Sequence, residues 1–177
     1  MRLFFLLFFL SFACPALSSS LKVTFIVPDG KGPIFWQLVS DVSRVAAEDL
    51  GIDLEIIYTD SNRFASLTAI EEITRRELKP GYVIFLPYLG NTAKVFSLLE
   101  LAKIRFITLE QTFASDLQKD LGVPKEKYRY WLGQINYDNK AGGELLFQAM
   151  RNAHHKYSPG EIMYVTGIGG DFNGTAM

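Results

Sequence analysis

The chain has 177 residues, enough for one domain with a sizeable core, and its formal net charge is −1. This charge gives no bulk attraction to nucleic acid, so we expect no nucleic-acid partner. The single cysteine is Cys14 in the apolar N-terminus, which leaves the rest of the chain without disulfides, a thiol nucleophile or a cysteine-based metal site.

The N-terminus has the pattern of a cleavable export signal. Arg2 precedes a continuous apolar run over residues 3–10, and small residues follow at the positions expected before a cleavage at Ser19. The run is too short to span a membrane comfortably. We therefore predict a signal peptide over residues 1–18; a lipoprotein signal that uses Cys14 is the alternative.

Strand and helix patterns alternate along the rest of the chain. Short apolar runs predict six strands, at residues 21–27, 52–58, 82–86, 105–109, 128–135 and 162–165. Helical periodicity, with Gly or Pro near the ends, predicts helices at residues 33–50, about 63–79, 92–103, 115–121 and 140–156. Alternation at this spacing is typical of βαβ units, so we predict an α/β domain with a doubly wound, mostly parallel sheet.

Apolar residues that recur at helical spacing predict one face of each helix. In the first helix they are Ile34, Leu38, Val42, Val45, Ala46 and Leu50. The second helix is predicted to turn inward Leu67, Ile70, Ile73 and Leu78. The last helix is predicted to turn inward Leu145, Leu146, Ala149 and Ala153.

The sequence lacks the usual signatures of an enzyme or a metal site. His154 and His155 are adjacent on a helix, where side chains point about 100° apart and cannot share a metal. No nucleophile elbow, zinc-protease motif or phosphate-binding loop is present. The glycine-rich residues 167–174 follow a predicted strand, which keeps a nucleotide-binding enzyme as an alternative. We expect a protein that is not an enzyme and that needs no cofactor or metal.

Polar and aromatic side chains follow the carboxyl ends of the predicted strands, where α/β sheets bind ligands. These residues are Asp29, Phe35, Trp36, Asp60, Asn62, Tyr88, Asn91, Glu110, Gln111, Asn136 and Asp138. Sugars suit such a set, because their C–H faces stack on aromatic rings and their hydroxyls bond to carboxylates and amides. The alternative for Phe35 and Trp36 is packing beneath the first helix.

Several segments form a further pattern through their order and spacing. They are Pro33-Ile34-Phe35-Trp36 after the first strand, Leu50-Gly51, Phe85-Leu86-Pro87-Tyr88, Glu110-Gln111, Asp138-Asn139 and the glycine-rich residues 167–170. In this order the sequence resembles the type I periplasmic binding proteins, the ribose- and galactose-binding-like family to which the autoinducer-2 receptors belong. The resemblance covers residues 21–177, with Glu110 standing where the family usually has Asp.

The resemblance implies a fold with two lobes that close on a ligand. The first lobe would span residues 19–136 and residues 137–177 would begin the second, so we expect the chain to be a fragment of a longer protein. It also implies a periplasmic monomer, the solute-binding protein of an ABC-type importer, with a membrane permease as partner. The alternative is the ligand-sensing domain of a chemotaxis or other membrane receptor, including autoinducer-2-type signalling.

Five residues are predicted to bind the small-molecule ligand, which we expect to be a sugar. Phe35 and Trp36 would stack on the ligand, and Glu110 would accept hydrogen bonds from its hydroxyls. Gln111 and Asp29 are the second candidates.

Overall fold

The computed structural model of the chain describes residues 20–29, 34–88, 90–110 and 115–167. The predicted signal peptide, Gln111 and most of the glycine-rich stretch lie outside these ranges. Within them, no helix is long and apolar enough to cross a membrane.

The described residues form one parallel sheet with helices on both of its faces. The five strands, in the spatial order β2-β1-β3-β4-β5, are β1 (Leu21–Val27), β2 (Ile52–Tyr58), β3 (Tyr82–Phe85), β4 (Arg105–Leu109) and β5 (Trp131–Ile135). The helices are α1 (Ile34–Leu50), α2 (Arg63–Arg75), α3 (Thr92–Leu101), α4 (Ser115–Leu121) and α5 (Asn139–Tyr157). Every strand pair is parallel, which confirms the predicted doubly wound α/β fold.

One face of the sheet carries the hydrophobic core. The register places Ile26 and Phe85 side by side on β1 and β3, and side chains of α2 and α3 pack over them. The helical contribution consists of Ile70, Ile73, Val95, Phe96 and Leu99. Phe106 and Trp131 add two more fully buried rings. Removal of this apolar surface from water is the main favourable term in folding.

The opposite face of the sheet is covered by α1 alone among the described helices. Phe25 and Ile84 pair on this face and line an apolar groove of about 290 Å³ beside α1. The buried positions of α1 are the small residues Ser40 and Ala47. Exposures of 57% to 72% are found instead at Ile34, Leu38, Val42, Val45 and Leu50. The periodicity therefore predicts the helix correctly, but most of its apolar positions lie on the surface, and of these residues Ala46 and Leu50 line the groove beside the sheet.

The second helix is shorter than predicted. It ends at Arg75, because Arg76 has an extended backbone (φ −61°, ψ 143°) and donates its guanidinium hydrogen bonds to Glu55 on β2. Pro80 also disfavours helical backbone at the residue before it. The inward orientation predicted for Leu78 is wrong: beyond the end of the helix, this side chain is 78% exposed.

The fifth strand begins at Trp131 rather than at residue 128. The backbone N–H groups of Arg129 and Tyr130 donate to the carboxylate of Glu100 on α3, at 3.0 and 2.9 Å. The Tyr128 side chain is buried in the core. A side chain from another element thus replaces the first strand hydrogen bonds, which local sequence does not indicate.

The sixth strand predicted at residues 162–165 is absent from the described residues. This segment has no regular structure and is largely exposed. The inward residues predicted for α5 also lie on the surface: Leu145, Leu146, Ala149 and Ala153. Both predictions are wrong for one reason. A strand needs a neighbouring strand and an amphipathic helix needs a covering layer, and no described element supplies either to this segment.

Candidate ligand-binding site

A cavity of about 120 Å³ lies at the carboxyl edge of the sheet. The start of α1 forms one wall, and the chain segments that follow β4 and β5 form the other. Residues that line it include Phe35, Trp36, Leu109, Glu110, Asn136 and Tyr137. The two strands meet here because they are parallel neighbours, with Leu109 opposite Ile135 at their ends. This is the edge at which ligands of open α/β sheets bind.

An aromatic pair forms the α1 wall. The rings of Phe35 and Trp36 meet edge to face, with centroids 5.1 Å apart and planes at 80°. Phe35 is 46% exposed and Trp36 is half-buried, so the pair is not packed wholly beneath α1. Rings with accessible area beside a cavity have the geometry needed to stack on the face of a ligand.

Glu110 brings a carboxylate to the opposite wall. Its backbone has a left-handed conformation, with φ 62°, and its N–H donates to the carbonyl oxygen of Ile135 at 2.7 Å. Its side-chain Oε1 accepts a hydrogen bond of 2.7 Å from the hydroxyl of Tyr137. The pKa of the Tyr137 phenol is raised above its ordinary value. The hydrogen bond to this carboxylate is the larger cause and burial is the smaller one.

Asp29, the weaker candidate after β1, does not line this cavity. It is half-buried, and its charge acts on Tyr88 after β3. Burial raises the pKa of the Tyr88 phenol, and the charge of Asp29 adds to this rise. Gln111 lies outside the described residues. Three of the five predicted site residues, Phe35, Trp36 and Glu110, therefore meet in one cavity.

Sequence reasoning misses Tyr137, the partner of Glu110. It places Asn136 at this edge of the sheet but does not select it. The available signal was position: Asn136 and Tyr137 follow β5 directly, and the carboxyl ends of neighbouring parallel strands converge. A tyrosine in a turn-like Asn-Tyr-Asp-Asn segment gives no local sign that its hydroxyl reaches a residue 27 positions earlier.

Another cavity, which is polar and has a volume of about 210 Å³, lies at the amino edge of β1 and β2. Arg76 donates to both carboxylate oxygens of Glu55, at 2.6 and 2.9 Å, and Thr24 donates to the same carboxylate at 2.9 Å. The hydrogen bond from Arg76 is the main cause that lowers the pKa of Glu55. These charges satisfy one another, so the cluster is structural. Among the described residues, no group of three His, Cys, Asp or Glu side chains could hold a metal ion.

Comparison with known proteins identifies the fold. No protein-family model and no curated protein sequence matches the chain. The solved structure of a periplasmic sugar-binding protein from Pseudomonas fluorescens is similar, with a TM-score of 0.64 and 21% sequence identity. The match covers 88% of this chain and 44% of that protein, so this chain spans less than half of its length. The predicted periplasmic-binding-protein-like fold is thereby confirmed.

Proposed function

We propose that the chain belongs to a solute-binding protein, which holds a sugar or a similar small polar ligand at the carboxyl edge of the sheet. The observation that carries this proposal is the meeting of Phe35, Trp36 and Glu110 in one cavity. Aromatic faces bind the C–H surface of a sugar ring, and a carboxylate accepts its hydroxyl hydrogens. The similar fold of a periplasmic sugar-binding protein supports the same proposal.

The size of the cavity supports the proposal that it is one part of a larger site. Its volume of about 120 Å³ is well below the roughly 300–1,000 Å³ of small-molecule pockets. We propose that residues 19–136 form one lobe, that residues 137–177 begin a second lobe, and that the two close on the ligand by a hinge motion. The greater length of the similar sugar-binding protein supports this arrangement.

The proposed role is capture and delivery rather than catalysis. The export signal over residues 1–18 would bring the protein to the periplasm, and a membrane permease of the ABC type would receive the ligand. Binding by stacking and hydrogen bonds requires no covalent chemistry. Hinge closure would present a changed surface to the permease, which links occupancy of the site to transport.

A thermal-shift screen of the full-length protein tests this function. Neutral pentoses and hexoses, autoinducer-2 and nucleotides would be compared at equal concentration. We expect sugars to raise the melting temperature, because a ligand at 100 times its Kd stabilises the folded state by about 2.7 kcal/mol. Stabilisation by nucleotides with none by sugars would contradict the proposal and favour a nucleotide-binding enzyme. Stabilisation by autoinducer-2 alone would favour a signal receptor over a sugar importer.

A further inference from the structure

We propose that Tyr137 is a specificity-determining residue of this site, which holds the Glu110 carboxylate so that the site takes an uncharged polyhydroxy ligand and rejects an anionic one. The inference rests on the proposed function and narrows its ligand class. It concerns a residue that neither the sequence pattern nor the fold comparison singles out.

The hydrogen bond between the two side chains orients the carboxylate. The Tyr137 hydroxyl donates to Oε1 of Glu110 at 2.7 Å, the length of a strong bond to an ionised acceptor. A carboxylate has two oxygens, and within the described part of the chain this side-chain bond occupies only Oε1. Oε2 is then the acceptor for a ligand hydroxyl.

A backbone contact fixes the main chain of Glu110. The Glu110 N–H donates to the Ile135 carbonyl oxygen at 2.7 Å, two residues before Tyr137. The segments after β4 and β5 are therefore joined through both main chain and side chain. With the Glu110 main chain fixed by one bond and its carboxylate by the other, the side chain loses less conformational freedom when a ligand binds, and such preorganisation favours affinity.

The walls of the cavity set the sign of the ligand charge. Aromatic and aliphatic side chains form most of the lining, and its polar members are Glu110, Asn136 and Tyr137. Once the proposed second lobe closes over them, apolar walls would exclude water and strengthen the repulsion between Glu110 and an anionic ligand. A neutral hydroxyl instead donates to the carboxylate. Sugar acids and sugar phosphates are thus disfavoured relative to neutral sugars.

Titration of the Tyr137 phenol tests the contact without any ligand. In the full chain with ¹³C-labelled tyrosine, NMR would follow each phenol through alkaline pH, with Tyr137→Phe to assign the signal. We expect the pKa of Tyr137 to exceed the ordinary value of about 10 and to fall in Glu110→Gln. Tyr164→Phe is the control, since Tyr164 is 86% exposed and outside the cavity. A Tyr137 signal that Glu110→Gln leaves unchanged would overturn the proposal.

Calorimetry with matched sugar pairs tests the selectivity in the full-length protein. The pairs are galactose with galacturonate and glucose with glucuronate, which differ in charge but little in shape. We expect the neutral member to bind at least tenfold more tightly. Tyr137→Phe should weaken its binding about tenfold, the effect of losing a hydrogen bond to a charged group. Glu110→Gln should narrow the preference for the neutral sugar over the uronate. Tyr164→Phe should change neither this preference nor the affinity for the neutral sugar.

The outcomes separate this inference from the proposed function. If none of the sugars in the screen or the pairs binds, the proposed function fails. If a neutral sugar binds and Tyr137→Phe binds it equally well, only the role of Tyr137 is refuted. A uronate that binds as tightly as its neutral partner would likewise refute the selectivity while leaving a sugar-binding function in place.

Discussion

The protein contains two aromatic clusters with nearly the same ring geometry and very different surroundings. In the core, Phe96 meets Phe106 and Trp131 with centroids 4.9 Å apart in each pair, and all three rings are fully buried. At the carboxyl edge, Phe35 and Trp36 meet at 5.1 Å in the same edge-to-face manner. Phe35 nevertheless keeps 46% of its surface in contact with solvent.

Exposure, rather than ring geometry, distinguishes the two clusters. The buried rings have already gained the free energy of leaving water, so their value is the stability of the fold. The edge rings still have apolar surface to bury, and a ligand that covers them supplies that gain. We therefore expect changes in the core cluster to alter unfolding, and changes at the edge to alter binding.

The largest expected effect is on stability, from Phe96→Ala. Removing a fully buried ring leaves a cavity among its neighbours and should lower the free energy of unfolding by about 3–5 kcal/mol. Urea denaturation followed by circular dichroism measures this change. Leu101→Ala on the same helix is the control, because Leu101 is 81% exposed and should change stability by at most about 0.5 kcal/mol. Equal losses in the two variants would show that burial of the Phe96 ring is not what stabilises the fold.

The second effect, from Trp36→Ala, should appear in binding. Loss of a large stacking surface should cost about 2 kcal/mol of binding free energy, or roughly 30-fold in Kd. Because Trp36 is half-buried, the free energy of unfolding should fall by only about 1 kcal/mol. Calorimetry with the sugar found in the thermal-shift screen gives the first quantity and urea denaturation the second. Val42→Ala, at a 68% exposed position of α1, is the control. Unchanged affinity would mean that Trp36 has a structural role.

Elements with strong local signals could be predicted from the sequence. The bounds predicted for β1, β2, β4 and α4 are those observed. Gly51 (φ 64°) adopts the left-handed backbone that ends α1, and Asn62 caps α2 by accepting from the N–H groups of Phe64 and Ala65. Such signals act within a few residues, so a single sequence reveals them.

Features that depend on distant residues could not be predicted. The early end of α2 follows from the contact of Arg76 with Glu55, which is 21 positions away. The late start of β5 follows from Glu100, whose carboxylate accepts hydrogen bonds from backbone N–H groups about 30 positions later in the chain. Only three-dimensional contact selects these partners, and local periodicity carries no information about them.

Some features of the candidate site could likewise be predicted from the sequence, and others could not. The rule that loops after parallel strands converge was enough to bring Phe35, Trp36 and Glu110 together. The same rule also places Asp29 at this edge, where it lies outside the lining of this cavity. It could not identify Tyr137, because the choice between a ligand and a protein partner for Glu110 is set by side-chain geometry.

The comparison of clusters extends to the two partly buried carboxylates of the sheet edges. At the amino edge, Glu55 is bonded by the cationic Arg76 and by Thr24, so its charge is compensated within the protein. At the carboxyl edge, Glu110 is bonded by the neutral phenol of Tyr137, which leaves its charge uncompensated by this partner. A compensated carboxylate stabilises the fold, whereas an oriented but uncompensated one suits a ligand.

The smallest predicted effect is that of Arg76→Ala on stability, and its dependence on pH tests whether the charge of Glu55 is compensated. Arg76 lowers the pKa of Glu55 in the folded state, so their contact adds stability above the unfolded-state pKa of about 4.3, and this contribution is lost as the pH falls through the lower folded-state value. Both side chains are more than one-third exposed, so Arg76→Ala should cost only about 0.5–1 kcal/mol at neutral pH. Urea denaturation at neutral pH and near pH 3 measures the difference from wild type, which should shrink at the acidic value.

Arg75→Ala provides the matched control for this titration. Arg75 is 76% exposed and approaches Glu71 only at 3.9 Å, so its loss should change stability little at either pH. A cost of Arg76→Ala that persists unchanged at acidic pH would show that the arginine contributes through packing of its aliphatic stem rather than through the charge of Glu55. In that event Glu55 would not be the compensated counterpart of Glu110, and pairing would no longer distinguish the structural carboxylate from the one proposed to bind a ligand.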